Sequence, residues 1–362
     1  MEFFKEGYIM KSINVYFNRC FTDTSEIIKE LKNNNDNISY KIYISHPVRN
    51  IRLEESADYY ELEPEFEKSE DYAEYCINFC INHDIDVFVP RYRVSELSGY
   101  SDKFNELGIK TIFVGSRKLY EFIDNKAAVY DDLKDESIIK IPPYKMITNY
   151  KEFLDGYEYI KSKGFKVCIK PVSGIGAEGF KVIKEGTSLI DELRFSSFQI
   201  SYERLCEILN SVEKIEPMLM SGFLPDDEWS IDCLGDNGRL VDSVTRVKSN
   251  KFEQIVRIDE KADKIAAILT ERYKLDNLFN IQFKLKDNEI YLLEINSRMS
   301  AGIFKSCKIG INFLHKAIKK AYGEKLESEK YECNKIKVRT ENVYDIYKLN
   351  SDTVKRKEEI LV

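Results

Sequence analysis

A short segment between residues 280 and 298 carries a row of side chains that could bind a divalent metal ion. Its sequence, NIQFKLKDNEIYLLEINSR, has the pattern of two strands joined by a turn. Successive side chains of a strand alternate between two faces, so the even-numbered residues of both strands share one face. That face carries Gln282, Lys284, Glu294, Asn296 and Arg298. In an ordinary solvated strand, charged and carboxamide side chains are scattered and not collected on one face. The pattern therefore predicts a ligand on this face.

The residue types on this face favour magnesium and phosphate chemistry. Glu294 and Asn296 supply hard oxygen atoms, and a carboxylate with few other protein oxygens suits Mg²⁺, which keeps waters and takes further ligands from phosphates. Arg298 follows on the same face and can hold a phosphoryl oxygen. Taken alone, the segment also suits a half-buried hairpin with a polar outer face, so this alternative stays open.

The apolar residues of the segment predict the register of the hairpin. The odd-numbered residues of both strands are apolar, namely Ile281, Phe283, Leu285, Tyr291, Leu293 and Ile295. For all of them to share the buried face, the numbers of paired residues must sum to an even value. We therefore expect an odd loop length or a bulge around residues 286–289, and not a two-residue turn.

The composition indicates a soluble globular protein. The chain has 362 residues, of which 43% are hydrophobic and 32% charged, and this length allows roughly two or three domains. Its formal net charge of -7 argues against nucleic acid as a main partner, since phosphate binding needs clustered Lys and Arg. No apolar run approaches the ~20 residues that span a bilayer, and the N-terminus lacks a cleavable signal pattern. We expect a cytoplasmic protein that binds no membrane.

Cysteine and histidine offer little chemistry in this sequence. The eight cysteines form neither a CxxC pair nor a zinc-type pattern with histidine, so we expect reduced thiols. The three histidines stand in no context that resembles a catalytic triad. The chemistry therefore rests on charged groups and carboxamides.

The N-terminal region predicts a small doubly wound parallel sheet, because strand-like and helix-like segments alternate over the first ~115 residues. The first strand runs into NRCFTDTSE and not into a GxGxxG turn, which disfavours a dinucleotide-binding domain. Ligands of open parallel sheets bind beyond the carboxyl ends of the strands. Arg19, His46, Arg49, Arg91 and Arg93 follow three of these strands. They predict an anionic substrate such as a carboxylate, although solvated loop arginines explain the pattern equally well.

A glycine-rich connection in the middle of the chain could bind phosphate. The segment FKVCIKP leads into SGIGAEG and then into FKVIKE, which predicts a hairpin whose loop contains Gly174, Gly176 and Gly179. Glycines let backbone amides approach phosphate oxygens closely, and Lys170 would place an ammonium group beside them. A flexible hairpin turn without a ligand is the alternative.

Taken in order, five segments resemble the ATP-grasp superfamily, and most closely its carbamoyl-phosphate-synthase-type carboxylate–amine ligase branch. They are DNKAAVYDDL, CIKPVSGIGAEGF, FLPDDEWSID, NIQFKL and LLEINSRMSAG. Each segment is degenerate by itself, but their order and spacing are specific, and the resemblance covers residues 12–325. It implies a combined α/β and α+β fold, in which a pre-ATP-grasp doubly wound domain precedes a two-lobed ATP-grasp fold.

The resemblance also implies domain limits. They are residues 1–115 for the pre-ATP-grasp α/β domain, 116–164 for a helical linker, 165–222 for a lid lobe with the glycine-rich loop, 223–325 for a C-terminal lobe with the metal site, and 326–362 for a charged extension. The two lobes would close on ATP.

On the nucleotide side, the resemblance assigns Lys126 and Lys170 to the ATP phosphates. The loop that starts at Ser173 and contains the three glycines would fold over those phosphates and open for product release. The backbone at Gly222 and Leu224 would pair with the adenine edge, and Glu228 would accept hydrogen bonds from ribose hydroxyls. Ser221 stands where an acidic residue is frequent in the family.

At the reacting end, the resemblance assigns the metal to Gln282, Glu294 and Asn296. The expected ion is Mg²⁺, with Mn²⁺ as an alternative. Gln282 stands where many members have Glu, which lowers the charge of the site. Arg298 would stabilise the transferred phosphoryl group, with Arg246 and Lys248 as helpers. The small-residue loop that contains Ser300 and Gly302 would face the acceptor substrate, and Arg19, Arg91 and Arg93 remain candidates for the substrate from their positions after strands.

The activity implied by the resemblance is that of an ATP-dependent carboxylate–amine ligase. A substrate carboxylate would attack the γ-phosphate, and an amine would then capture the acyl phosphate. The protein would act mainly through alignment and charge neutralisation. The expected partners are a small-molecule carboxylate and an amine, and a homodimer is left open. The alternatives are an ATP-grasp phosphotransferase and a non-catalytic module that responds to nucleotide.

Overall fold

The computed structural model describes residues 12–172, 179–187, 189–193, 196–248, 253–287, 289–328 and 335–339. Within this part of the chain the strands form three sheets, two of five strands and one of six. The first sheet comes from the N-terminal region, and the other two follow it in the sequence. This arrangement agrees with the expected order of a doubly wound domain before two lobes.

The first sheet is parallel throughout and has the strand order β3-β2-β1-β4-β5. Its strands are β1 (Ile13–Asn18), β2 (Tyr40–His46), β3 (Tyr59–Leu62), β4 (Val87–Val89) and β5 (Lys110–Thr111). The helices between them are α1 (Thr24–Lys32), α2 (Ile51–Ser56), α3 (Ser69–Asn82), α4 (Val94–Ser98) and α5 (Ser101–Glu106). The sequence missed α2 and β3, since short polar segments carry no clear hydrophobic period.

The second sheet has the order β6-β10-β7-β8-β9 and is antiparallel except between β8 and β9. Its strands are β6 (Tyr144–Ile147), β7 (Val167–Pro171), β8 (Lys181–Lys184), β9 (Gln199–Ser201) and β10 (Met218–Gly222). The helices before and within it are α6 (Arg117–Asp124), α7 (Lys126–Leu133), α8 (Tyr150–Ser162), α9 (Leu189–Glu192) and α10 (Tyr202–Asn210). Strand β6 thus belongs to this sheet although it lies in the segment expected to be a linker.

The third sheet is antiparallel, with the order β15-β14-β11-β12-β13-β16. Its strands are β11 (Glu228–Asp236), β12 (Arg239–Lys248), β13 (Glu253–Arg257), β14 (Asn277–Lys286), β15 (Glu289–Asn296) and β16 (Lys335–Arg339). The helices of this region are α11 (Glu260–Tyr273), α12 (Ile303–Cys307) and α13 (Phe313–Ala321). Strand β16, in the segment expected to be a charged extension, is therefore an edge strand of this sheet.

The apolar cores divide the molecule into two parts. One cluster of buried residues joins Tyr16 and Phe88 of the first sheet to Phe279 and Phe283 of the third. A separate cluster, which includes Phe153 of α8, fills the region of the second sheet. The first and third sheets therefore share their packing, whereas the second sheet has a core of its own.

Two further expectations concern thiols and membranes. The seven cysteines in the described part of the chain are free thiols, as the sequence predicts. Across the same residues, every helix is too short or too polar to span a bilayer.

Candidate active site

A cavity of about 860 Å³ lies where the three sheets meet. The second and third sheets supply most of its walls, and the loops after β1 and β4 close one end with Phe21, Asp23 and Arg91. The sequence-predicted site residues that line it are Arg91, Lys126, Lys170, Gly222, Leu224, Glu228, Lys248, Gln282, Glu294, Asn296, Arg298 and Ser300. Residues far apart in the sequence thus converge on one concave space.

The hairpin of β14 and β15 supplies the metal-type ligands. Gln282 pairs with Glu294 directly across the strands. The next pair on the same face of the sheet is Asn280 with Asn296. The Asn296 carboxamide donates to Glu294 Oε1 at 3.2 Å. These four side chains therefore share the cavity-facing side of the sheet, as the parity argument predicts for three of them.

The register of this hairpin is only partly as expected. Two residues connect Lys286 to Glu289, so the exclusion of a two-residue turn is wrong. A bulge is present, but it lies within the strands and not around residues 286–289: the pairing shifts between Gln282 and Phe283 and leaves Leu293 as an extra residue. A bulge re-aims the side chains that follow it. Beyond it Ile290 and Leu292 are buried in place of Tyr291 and Leu293.

The donor set fits a hard divalent cation. Glu294 offers a carboxylate, and Gln282, Asn296 and Asn280 offer carboxamides. Mg²⁺ accepts one or two carboxylates and completes its octahedron with water and phosphate oxygens. In the described residues there is no cluster of three His, Cys, Asp or Glu side chains that could hold a metal.

Two lysines stand beside these ligands. Lys126 is the first residue of α7, whose N-cap Asn125 accepts a hydrogen bond from Ala128 N–H at 3.1 Å and so fixes the start of the helix. Its Nζ lies 3.4 Å from Glu294 Oε2. Burial and the nearby Lys126 charge lower the pKa of Lys170, and Glu294 opposes this shift. Two ammonium groups around one carboxylate leave a positive excess that suits phosphate.

The third sheet continues the polar face in rows. Glu294 pairs with Gln282, Gln282 with Ser230, and Ser230 with Arg246. In the next row, Asn280 pairs with Asp232. The sequence prediction missed Asp232 and Asn280, although both are even-numbered, Asp232 ends the segment FLPDDEWSID and Asn280 begins the segment NIQFKL.

Asp232 is a fully buried carboxylate held by five hydrogen bonds. Arg246 donates from Nε at 2.7 Å and from Nη2 at 3.3 Å. Ser300 and Ser306 each donate at 2.6 Å, and Asn280 donates at 2.8 Å. Burial alone would raise the pKa of Asp232, but the Arg246 charge and these hydrogen bonds outweigh it and lower the pKa. Asp232 therefore ties the Ser300 loop, α12 and Arg246 together.

Arg246 lies behind the cavity and not in its wall. Its guanidinium also donates to Ser230, Gln254 and Ser300. A Cβ atom on Gly302 would lie 2.6 Å from Arg246 Nη1, so only glycine leaves room for this guanidinium. The predicted helper Arg246 and the predicted acceptor-loop residue Gly302 are thus in contact, one layer below the cavity surface.

The other end of the cavity contains the residues for which the sequence predicts a nucleoside-binding role. Glu228 forms an ion pair with Lys248, and both line the cavity. Lys284 donates to the Leu224 carbonyl at 3.2 Å. The Gly222 N–H is already bonded to Pro143 O at 2.9 Å, so Leu224 N–H is the hinge amide that stays available to a ligand within the described backbone.

The glycine-rich loop is described only at its end. Ser173, Gly174 and Gly176 lie outside the described residues. Gly179 has a φ of +67°, and a Cβ atom there would lie 2.8 Å from the ring of Pro171. Glycine is therefore required at this position for two reasons, the left-handed backbone and the close approach to β7.

The cations at the ends of the first-sheet strands have different surroundings. Arg19 pairs with Glu63 and Glu65, and Arg93 donates to the carbonyl of Phe66 at 2.9 Å. Neither lines the cavity, and both are used in local structure. Arg91 does line the cavity.

Parts of the chain are similar in sequence to known proteins. Residues 214–344 match a family described as "ATP-grasp in the biosynthetic pathway with Ter operon". The chain is 26% identical over 210 residues to the multifunctional protein pyr1-3 of Dictyostelium discoideum, which covers 52% of this chain and 8% of that protein. It is 25% identical over 218 residues to the C-terminal section of the carbamoyl phosphate synthase large chain of Aquifex aeolicus, or 55% of this chain and 37% of the relative. The chain therefore spans well under half of either relative.

Solved structures resemble the whole fold. The biotin carboxylase domain dimer of Hydrogenobacter thermophilus 2-oxoglutarate carboxylase, crystallised with MgADP, ADP and bicarbonate, has a TM-score of 0.62 at 16% identity and covers 87% of this chain and 71% of its own. The ADP complex of purK, an N5-carboxyaminoimidazole ribonucleotide synthetase, has a TM-score of 0.61 at 14% identity, with coverages of 89% and 80%. At these identities the likeness shows a common fold.

Proposed function

We propose that this chain, which matches an ATP-grasp family over residues 214–344 and shares the fold of ATP-grasp structures, is an ATP-dependent ligase that joins a carboxylate to an amine through an acyl phosphate. The observation that supports this most is the convergence of Lys126, Lys170, Gln282, Glu294 and Arg298 on one cavity. These are two ammonium groups, hard oxygen ligands and a guanidinium, which together suit a triphosphate with its magnesium ion.

The proposed reaction has two steps. In the first, a carboxylate oxygen of the substrate attacks the γ-phosphorus of ATP, the bond from this phosphorus to the β–γ bridging oxygen breaks, and ADP leaves. In the second, the amine nitrogen attacks the acyl carbon, the bond from this carbon to the phosphate oxygen breaks, and inorganic phosphate leaves. The nitrogen loses one proton as the amide forms.

The chain's own residues contribute alignment and charge. Lys126 and Lys170 would bind phosphate oxygens, and Arg298 would stabilise the charge on the phosphoryl group during transfer. Gln282, Glu294 and Asn296 would hold Mg²⁺ or Mn²⁺, which neutralises phosphate charge when bound. Holding the two reactants in line removes an entropic barrier that a dilute reaction must cross.

The nucleoside would occupy the end of the cavity between the second and third sheets. Leu224 N–H is free to donate to a purine ring nitrogen, and the Gly222 backbone would contribute through its carbonyl. Glu228 would accept from ribose hydroxyls while Lys248 keeps its carboxylate oriented. Phe223 and Val182 line the same part of the cavity and supply apolar surface for a base.

Hydroxylamine trapping tests this proposal. The purified protein is incubated with MgATP, hydroxylamine and a mixture of cellular carboxylic acids, and products are identified by mass spectrometry beside the Glu294→Gln variant. ADP and a hydroxamate from the unmodified protein alone are the expected result. A phosphorylated product without hydroxamate would instead establish a phosphotransferase. ATP binding without ADP formation would favour the non-catalytic module.

A further inference from the structure

Arg91 is a buried guanidinium without a carboxylate partner in the described part of the chain. Its side chain is 6% exposed, although it lines the cavity. Nη1 donates to the Met299 carbonyl at 2.7 Å, and Nε is buried with no hydrogen-bond partner. A buried charge without a counter-charge is costly, so this side chain points to an anion that comes from outside the chain.

The groups around Arg91 do not supply that anion. Burial raises the pKa of the neighbouring Cys20 thiol to about 11, so the thiol is neutral at physiological pH. Burial, together with the positive charge of Arg298, lowers the pKa of Arg91 to about 10, and Arg91 therefore stays charged. Within the described residues Arg298 forms no ion pair either, although its charge opposes the rise that burial causes in the pKa of Asp124. Two guanidinium groups thus lie at this end of the cavity, which Asp23 also lines, and neither guanidinium forms an ion pair with an acid of the described residues.

The neighbouring arginines behave differently. Arg19 is paired with two glutamates, and Arg93 is bonded to backbone carbonyls and stacked near Tyr72 and Tyr92. The charge of Arg19 is therefore neutralised by carboxylates. Arg93 has a buried Nη1 without a hydrogen-bond partner, as Arg91 has a buried Nε, but Arg93 lies against two aromatic rings and does not line the cavity. Arg91 stands at the carboxyl end of a central parallel strand, where open sheets bind their ligands.

We propose that the acid substrate carries a second anionic group besides the carboxylate that is activated, and that Arg91 binds this second group. The inference rests on the proposed function. Arg298 follows the metal-type ligands on β15 and serves the phosphoryl group and the carboxylate that attacks it. That carboxylate gives up its own negative charge when its oxygen is phosphorylated. Arg91 is held in place by its hydrogen bond to Met299 O. Its charge needs an anion that stays negative through both steps of the reaction. A carboxylate or phosphate group that does not react meets this requirement.

Matched pairs of acids that differ by one anionic group test the inference. Glutarate is compared with pentanoate, and 3-phosphoglycerate with glycerate, in the hydroxamate assay. A charge-assisted hydrogen-bonded pair predicts a kcat/KM higher by roughly 10- to 100-fold for the dianionic member. The two pairs distinguish a carboxylate from a phosphate as the second group. Equal use of both members of each pair would overturn the proposal.

The variant Arg91→Met keeps a side chain of similar volume but removes the charge. It should raise the KM for the dianionic acid by roughly 10- to 100-fold. Arg91→Lys should restore part of the affinity. Arg93→Met is the matched control, since its guanidinium does not line the cavity, and it should leave the KM for the acid unchanged. Thermal unfolding of all three variants shows whether each is folded. An unchanged KM in folded Arg91→Met would refute the assignment.

Calorimetric binding of the same acids, with a non-hydrolysable ATP analogue present, separates this inference from the proposed function. Dianion binding that is lost in Arg91→Met but produces no hydroxamate would refute the ligase and retain the anion site. Hydroxamate formation from monoanionic acids alone would retain the ligase and refute the anion site.

Discussion

The hydrogen-bonded carboxylate of Asp232 allows a prediction whose size follows from the structure. In Asp232→Asn the side-chain shape is kept, but the negative charge that faces Arg246 is removed. Both groups are almost fully buried, with side-chain exposures of 0% for Asp232 and 4% for Arg246. Removing one partner of such a pair leaves an uncompensated buried charge, which costs roughly 3–5 kcal/mol.

The individual hydrogen bonds place the cost toward the lower end of that range. The Asn oxygen, in the place of Oδ1, still accepts from Arg246 Nη2, Ser300 and Asn280. The Asn amide group, in the place of Oδ2, can donate to the Ser306 hydroxyl once this hydroxyl turns. It cannot accept from Arg246 Nε, so one charge-assisted hydrogen bond is lost with the net charge. We expect a loss of about 3 kcal/mol in the free energy of unfolding.

Urea denaturation of the wild type and the variant at pH 7 measures this difference. Asp227→Asn is the control, since Asp227 is exposed on the loop before β11 and the same substitution there should change stability by less than about 0.5 kcal/mol. The folded-state pKa of Asp232 lies below its ordinary value of 3.8. Its contribution is therefore complete above that value and is lost as the pH falls through the lower, folded-state pKa. The gap between wild type and variant should accordingly narrow in strong acid.

The outcome that would refute this reasoning is a loss below about 1 kcal/mol at pH 7 with an unchanged m-value, because a loss that small is typical of an exposed ion pair. A gap that stays constant down to strong acid would likewise show that the charge of Asp232 is not the source of the effect.

Three further predictions concern the site itself. Glu294→Gln should lower turnover at saturating ATP by at least roughly 100-fold and raise the magnesium requirement, with an unchanged melting temperature; full activity in a magnesium titration would remove Glu294 as a ligand. Lys170→Ala should weaken ATP binding by about tenfold or more, and an equal affinity for a fluorescent ATP analogue would refute its role. Gly302→Ala should displace Arg246 through its 2.6 Å contact and cost about 1–3 kcal/mol of stability; the φ of Gly302 is -90°, so no left-handed backbone adds to this cost, and an unchanged stability would contradict the steric account.

Alternation along strands predicted the polar face of the site well, because it depends only on local geometry. Gln282, Glu294 and Asn296 do lie together across β14 and β15. The same rule failed beyond Leu293, since a bulge is decided by how the strand meets the core and the cavity, and not by the alternation of residue types. The buried residues there are Ile290 and Leu292.

Charge partners could not be predicted from the sequence in the same way. Arg19, Arg91 and Arg93 look alike as residues after strands, and only tertiary contacts separate them. Arg19 meets Glu63, which is distant in sequence and buried beside it, while Arg91 forms no ion pair with any acid of the described residues. The role of Asp232 could not be predicted either, because its hydrogen-bond partners come from four separate segments of the chain.

The hydrogen bond between Gly222 N–H and Pro143 O has a consequence for modularity. It joins the two points where the chain enters and leaves the second sheet, and the residues between them have a core of their own. A segment whose ends lie side by side can be inserted into a host at one surface position without stretching it. Residues 144–222 are therefore arranged as a domain inserted into a host made of the first and third sheets, and a short connection from Pro143 to Phe223 would close the host without them.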